Sequence, residues 1–263
     1  MIEISAEYFS PKDIMRSGQC FRWHEENGIV SVPAFGRELK MEQRGGSVLL
    51  TSSKEDFDLI WRDYLDLDFD YGKIEKLVNE YGDDHLKEAY RLGKGIRILK
   101  QDPWEIIVSF LVSQNNNISR ISASVEAMAK KAGELLEGGE GYAFPDPFKI
   151  TPSFFEDRSL GLGYRVPYLT HICEYVQNNP GWLEDLKKLE YQELYEELLK
   201  RKGIGPKVAN CISLFGFHKT EAFPIDTHVK SLLDRYYPKG FDHERYKGVA
   251  GIVQQYLFYY EIR

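Results

Sequence analysis

Residues 102–114, DPWEIIVSFLVSQ, constrain this chain more than any other stretch. Asp102 suits a helix N-cap, Pro103 the first helical position and Glu105 the third. The helix they open is apolar nearly all round, so it requires protein on every side and belongs at the centre of a core. It stops at Asn115-Asn116-Asn117, and a second helix is expected to start near Ile118. Further helical periods fit residues 165–178, 186–201, 207–217, 227–237 and 243–260.

The first 50 or so residues read differently. Leu39 and Met41 alternate with polar residues, Gly45-Gly46 marks a turn, and Val48 and Leu50 resume the alternation, as in a β-hairpin. The period becomes helical from about Lys54. The expectation is an α+β chain: a small antiparallel β-containing N-terminal domain with some helix over residues 1–95, and a larger all-helical domain over 96–263.

The 263 residues, 43% hydrophobic and 29% charged, have a globular composition. The sequence contains no apolar run of about 18 residues, and its first residues have no apolar stretch typical of a secretory signal. Cys20, Cys173 and Cys211 are widely spaced and odd in number, against a disulfide framework and against a zinc or iron–sulfur cluster. A reducing compartment is expected; the compact ends, without a basic tail, point to the cytoplasm of a prokaryote, or the nucleus if the source is eukaryotic.

The net charge of −7 argues against nucleic acid, yet binding needs only a local positive surface. Residues 198–220 hold Lys200, Arg201, Lys202, Lys207 and Lys219 and no acid. The same stretch reads as helix, short turn, helix. Gly203 and Gly205 bracket Ile204, an arrangement that lets backbone amides approach a phosphate closely. A plain turn between helices would use the same glycines.

GIGPKVANC followed by FPIDTHV resembles the helix-hairpin-helix–Gly/Pro–Asp superfamily of DNA glycosylases, in which a hairpin precedes a Pro/Gly-rich loop and an aspartate. Lys207 and Asp226 stand at the family's spacing, although Lys202 replaces the proline that commonly precedes the first hairpin glycine. No cysteine cluster closes the chain, unlike endonuclease III-like members. SGQCFRW, QDPWE, SQNNNISRI, LGLGYR, GIGPKVANC, PIDTHV and VQQYLF, in order over residues 17–258, resemble the eukaryotic-type 8-oxoguanine DNA glycosylases.

The resemblance implies a bifunctional enzyme that excises 8-oxoguanine and then cleaves the strand by β-elimination, with Lys207 as nucleophile and Asp226 as essential carboxylate. An attacking lysine must be neutral, and a helix N-terminus disfavours an ammonium. Taken alone, Lys207 could instead contact a phosphate, and Asp226 reads equally as an N-cap. A flipped base needs a pocket. The resemblance assigns base recognition to Phe258 as a stacking ring, Gln254 as reader of the Watson–Crick edge, Cys211 on the opposite face and Gly18 through its carbonyl. Gln254 and Phe258 are expected one turn apart, pointing out of a core stripe of Tyr246, Val249, Ala250, Val253, Leu257 and Tyr260. Core packing is the plain alternative for Phe258 and Cys211, and a simple turn for Gly18.

Asn115, Arg120, Tyr164 and Arg165 match positions that fill the gap and read the orphaned cytosine; helix capping and surface ion pairs are the alternatives. His228 is assigned a phosphate beside the lesion, though a lone histidine is often just a surface residue. No cofactor is expected, and no side chain demands a metal, although similar hairpins hold a monovalent cation on their carbonyls. The expected partner is duplex DNA carrying a damaged base, bound by a monomer away from any membrane. A glycosylase for another damaged base, or a silent helix-hairpin-helix DNA-binding module, remains open.

Overall fold

The computed structural model describes residues 1–138 and 140–263. Strands β1 (Ile2–Ser5), β2 (His24–Glu26), β3 (Ile29–Ala34), β4 (Arg37–Arg44) and β5 (Ser47–Thr51) form one antiparallel sheet in the order β1-β5-β4-β3-β2. The expected hairpin closes with Arg44 opposite Ser47, and Met41 pairs with Leu50. Val30, Val32, Leu39, Met41, Val48 and Leu50 are all buried, as alternation on a half-covered sheet requires. Helix α1 (Pro11–Arg16) lies between β1 and β2, while α2 (Lys54–Asp56), a π-helical turn (Phe57–Trp61) and α3 (Arg62–Tyr64) follow the sheet. Phe9, Ile14, Trp61 and Tyr64 complete this first core.

The remaining helices are α4 (Gly72–Tyr81), α5 (Asp84–Gly93), α6 (Pro103–Val112), α7 (Ile118–Ala132), α8 (Val166–Asn178), α9 (Trp182–Lys188), α10 (Tyr191–Leu199), α11 (Pro206–Gly216), α12 (Thr227–Tyr236) and α13 (Ala250–Glu261). They share a second core that includes Tyr71, Ile74, Leu86 and Tyr90 from α4, α5 and the turn before them. Helix α6 runs through its middle. Asp102 accepts from the Glu105 amide at 2.9 Å, and Ile106, Ile107, Val108, Phe110, Leu111 and Val112 are all buried. Each such side chain contributes about 1.5–3 kcal/mol of burial, so α6 anchors the domain. No helix among the described residues is long and apolar enough to cross a membrane.

Two expected helices are broken in the structure. The span 186–201 is interrupted at Leu189-Glu190, where Glu190 and Glu193 form a capping box that starts α10 afresh. The span 243–260 splits into a 3-10 turn (His243–Tyr246) and α13, because Gly248 takes a φ of +78° that no helix accommodates. Helix α13 is also buried nearly all round, from Ala250 to Leu257 and at Tyr259, and therefore has no single core stripe. Val249 and Tyr260 are only partly buried.

The segment 17–23 joins the two cores. The Arg22 side chain, 3% exposed, pairs with Glu105 of α6 at 3.5 Å and Glu126 of α7 at 3.4 Å, and it donates to the Tyr142 carbonyl. Burial pushes the Glu105 carboxyl up to about 7, outweighing the opposing pull of Arg22. Its folded pKa thus lies above the ordinary 4.5. The proton-linked stabilisation is fully present below that value and is lost as pH rises through about 7. In denaturant titrations at pH 5 and pH 8, Glu105→Gln should gain on the wild type at the higher pH by on the order of 1–3 kcal/mol. A stability difference that does not change with pH would show that this carboxyl does not titrate in that window.

Candidate active site

The helix-hairpin-helix forms as its sequence implies, from α10, the turn at residues 200–205 and α11. Gly203 has a φ of +86°, and a Cβ there would lie 2.4 Å from the Tyr168 ring. The fold itself therefore requires this glycine. Gly205 meets nothing within 4 Å. It starts α11 without a side-chain cap, followed by Pro206, so the first-turn amides of Lys207 and Val208 stay available to an anion. Part of the basic island is committed internally. Lys200 pairs with Glu197 at 2.8 Å, while Arg201 pairs with Glu197 and stacks 3.9 Å from the Tyr175 ring. Lys202 is exposed and forms no ion pair among the described residues.

Lys207, Asp226, Gly18, Cys211, Gln254 and Phe258 line one cleft. The structure thus brings together six residues drawn from the segment after α1, from α11, from the start of α12 and from α13. The Lys207 amine lies 5.4 Å above the Phe110 ring, which stacks on Phe215. Asp226 caps α12 by accepting from the Val229 amide at 2.8 Å, so its plain role is real, and it lines the cleft as well. Burial pushes the Cys211 thiol up, with Lys207 opposing that shift and Asp226 adding to it. A neutral thiol wall beside the amine follows.

Gln254 departs from expectation. It does not point away from the core: it is 3% exposed and donates to the Pro224 carbonyl at 3.0 Å. A helix buried on every side has no outward flank there, so the amide forms part of the cleft and ties α13 to the loop carrying Asp226. Asn210 makes a parallel tie that the sequence did not reveal. Its carbonyl oxygen accepts from Tyr191 at 2.7 Å and the Phe223 amide at 3.3 Å, joining α11 to α10 and to the same loop. Gln255 was also missed; it lines the cleft, and its carbonyl oxygen has no hydrogen-bond partner among the described residues.

The cleft has a cavity volume of only about 40 Å³, far below the roughly 300–1,000 Å³ of a pocket that encloses a ligand. A purine enters only if the walls move. Phe258 is the half-buried wall, with its ring over Gly18 and 6.4 Å from the exposed His228 ring.

The second cluster lies at the α6–α7 turn. Asn115 is exposed with a φ of +47°, and its amide donates to the Tyr164 hydroxyl at 3.2 Å. Asn117, not Asn115, caps α7, accepting from the Arg120 amide at 2.9 Å. Arg120 is exposed and forms no ion pair among the described residues. Arg165 is not the surface ion-pair residue of the plain alternative. It is 7% exposed, and its guanidinium is spent on the backbone carbonyls of Leu162, Gln114 and Asn115. It braces the turn.

Among the described residues no group of three or more His, Cys, Asp or Glu side chains is placed to hold a metal ion. At Gly18 the φ is +75°, and an added Cβ would sit 3.1 Å from the Phe258 ring. Gly18→Ala should therefore lower stability by about 1–2 kcal/mol from the left-handed backbone alone, read by thermal denaturation. An unchanged melting temperature would mean that the turn relaxes freely.

Residues 1–107 match the family described as 8-oxoguanine DNA glycosylase, N-terminal domain. The N-glycosylase/DNA lyase OGG1 of Arabidopsis thaliana is 33% identical over 84% of this chain and 64% of its own length. The N-glycosylase/DNA lyase of Saccharomyces cerevisiae is 35% identical over 55% of this chain and 42% of its own. The chain thus spans less than two thirds of either relative. The crystal structure of the Clostridium acetobutylicum 8-oxoguanine glycosylase/lyase, in complex with duplex DNA containing cytosine opposite 8-oxoG, superposes with a TM-score of 0.89. It is 38% identical, over 97% of this chain and 92% of that one. This chain belongs to the 8-oxoguanine DNA glycosylase family, the N-glycosylase/DNA lyases of the helix-hairpin-helix type.

Proposed function

We propose that the protein excises 8-oxoguanine from duplex DNA, preferably opposite cytosine, and then cleaves the strand through a lysine imine. One observation carries this reading: an amine, a carboxylate, a buried carboxamide and a glycine turn under an aromatic ring line the same cleft. The relatives named above are glycosylase/lyases, and the Clostridium enzyme was crystallised on 8-oxoG opposite cytosine.

In this mechanism the hairpin grips the lesion-strand backbone through Gly205 and the first amides of α11, with His228 at a neighbouring phosphate. The base rotates out of the stack into the cleft. Phe258 moves off Gly18 to stack on it, Cys211 supports the other face, and the Gly18 carbonyl accepts the N7 proton that distinguishes 8-oxoguanine from guanine. Gln254, already committed to Pro224 through its amine, offers its carbonyl oxygen to the donor groups of the Watson–Crick edge. The lone pair of the neutral Lys207 amine forms a bond to C1′ as the C1′–N9 bond breaks. The base leaves with that bonding pair and takes up a proton. Asp226 stabilises the positive charge that builds at C1′. Opening of the sugar ring gives an imine between Lys207 and C1′; loss of a C2′ proton then expels the 3′-phosphate. Asn115 and Tyr164 fill the vacated space and Arg120 reads the orphaned cytosine. Every cleft residue comes from one chain, so a monomer suffices.

Base release and strand incision on an 8-oxoguanine duplex, followed on a denaturing gel, test this. Lys207→Gln should abolish incision, and Asp226→Asn should slow base release by roughly 100-fold or more. Full incision by Lys207→Gln would refute the lysine's role. Wild-type activity on other lesions but not on 8-oxoguanine would refute the substrate while keeping the chemistry.

A further inference from the structure

Gln114 occupies the junction between the phosphate-gripping hairpin and the α6–α7 turn. Its side-chain amine donates to the Gly203 carbonyl at 3.1 Å and the Leu111 carbonyl at 3.3 Å. Its own backbone carbonyl accepts from the Tyr164 hydroxyl at 3.0 Å and from Arg165 Nε at 2.9 Å. The Arg165 guanidinium reaches on to the Asn115 carbonyl at 3.1 Å and stacks 4.6 Å from the Tyr164 ring. Tyr164 meets Tyr168 edge-on at 6.3 Å, and Tyr168 fills the space beside Gly203 where a Cβ cannot fit. The contacts form a closed ring: Gln114, Gly203, Tyr168, Tyr164 with Arg165, and back to Gln114. Asn115, the residue of the cluster with a side chain at a positive φ, sits immediately beyond it.

We infer that Gln114 is a positioning residue that couples the hairpin to the residues facing the orphaned base, so that the identity of that base reaches the strand-gripping turn. This rests on the proposed function for what the two clusters touch. The physical reason lies in geometry. Asn115 sits at a positive φ, which asparagine tolerates better than most side-chain-bearing residues, so contacts hold the turn: Arg165 binds the carbonyls of Gln114 and Asn115, on either side of the Asn115 Cα, while that turn stays docked. The Gln114 carboxamide is what docks it to Gly203. A residue with the same bulk but no donor leaves the Gly203 carbonyl unsatisfied and frees the turn from the hairpin. The grip on phosphates then no longer depends on what the turn meets in the duplex.

The test is the affinity of the intact protein for duplexes containing a tetrahydrofuran abasic analogue opposite dC or dA, by fluorescence anisotropy. The analogue carries no base and cannot be cut, so the ratio is read whether or not 8-oxoguanine is the substrate. A wild-type protein that fails to release 8-oxoguanine would overturn the proposed function and leave this measurement intact. The wild type should favour dC. Gln114→Met should shrink the dC-to-dA ratio by roughly three- to tenfold, the worth of one hydrogen bond, with thermal denaturation confirming the fold. Gln114→Glu, equal in length but without a donor toward Gly203, should do the same. Hydrogen exchange at the amides of residues 203–209, measured without DNA, should accelerate in both variants. A purely structural role would weaken both duplexes by the same factor and leave the ratio unchanged; that result, an unchanged ratio with unchanged exchange, or a wild type that does not discriminate, would overturn the inference.

Discussion

The joining of the two cores, and with it the Gly18 wall of the cleft, depends on the docking of residues 17–23, and that docking depends on one buried carboxamide. Gln19 is fully buried. Its amine donates to the Ser17 hydroxyl at 2.8 Å and the Arg97 carbonyl at 2.9 Å, and its carbonyl accepts from the Leu99 amide at 2.9 Å. Gln101 returns the contact by donating to the Gln19 backbone carbonyl at 2.9 Å. A buried amide left unpaired costs about 1–3 kcal/mol, so this segment has one well-satisfied place to sit. That place puts Gly18 beneath Phe258 and Arg22 between α6 and α7. The sheet core reaches the helical core through this segment, and the cleft needs both.

The helical side is held by comparable means. Lys207 is positioned by the first turn of α11, Asp226 by its own cap on α12, and the two elements are joined through Asn210 and Phe223. Gln254 fixes α13 to Pro224. The cleft is therefore rigid on the sides that carry amine, carboxylate and carboxamide, and adjustable at Phe258. A site of this kind keeps its reactive groups in place while one wall opens for a base, and the small volume of the cleft follows from that division.

The sequence disclosed most where a local rule acts alone. The Asp102-Pro103 start of α6, the Gly45-Gly46 hairpin, the Gly203–Gly205 turn and the Asp226 cap each rest on residues adjacent in the chain. It disclosed less where a decision is tertiary. The break at Leu189 could have been read from Glu190 and Glu193 as a capping box, and the break before α13 from Gly248. The burial of Gln254 could not, because hydrophobic periodicity cannot tell a polar side chain that faces solvent from one satisfied by a distant carbonyl. The same holds for Arg165, whose partners are the carbonyls of Leu162, Gln114 and Asn115, and for Gln19, Gln114 and Asn210, whose amides bond to backbone far away in sequence. The reactive pair, Lys207 and Asp226, was legible by spacing and resemblance; the carboxamides that hold it in place were not.

The nucleophile can be located directly. The protein is incubated with an 8-oxoguanine duplex in the presence of borohydride, digested, and the modified peptide sequenced by mass spectrometry. The reduced deoxyribose remnant is expected on the Nζ of Lys207. A remnant on another lysine or on the N-terminal amine, or base release with no adduct at all, would contradict the assignment.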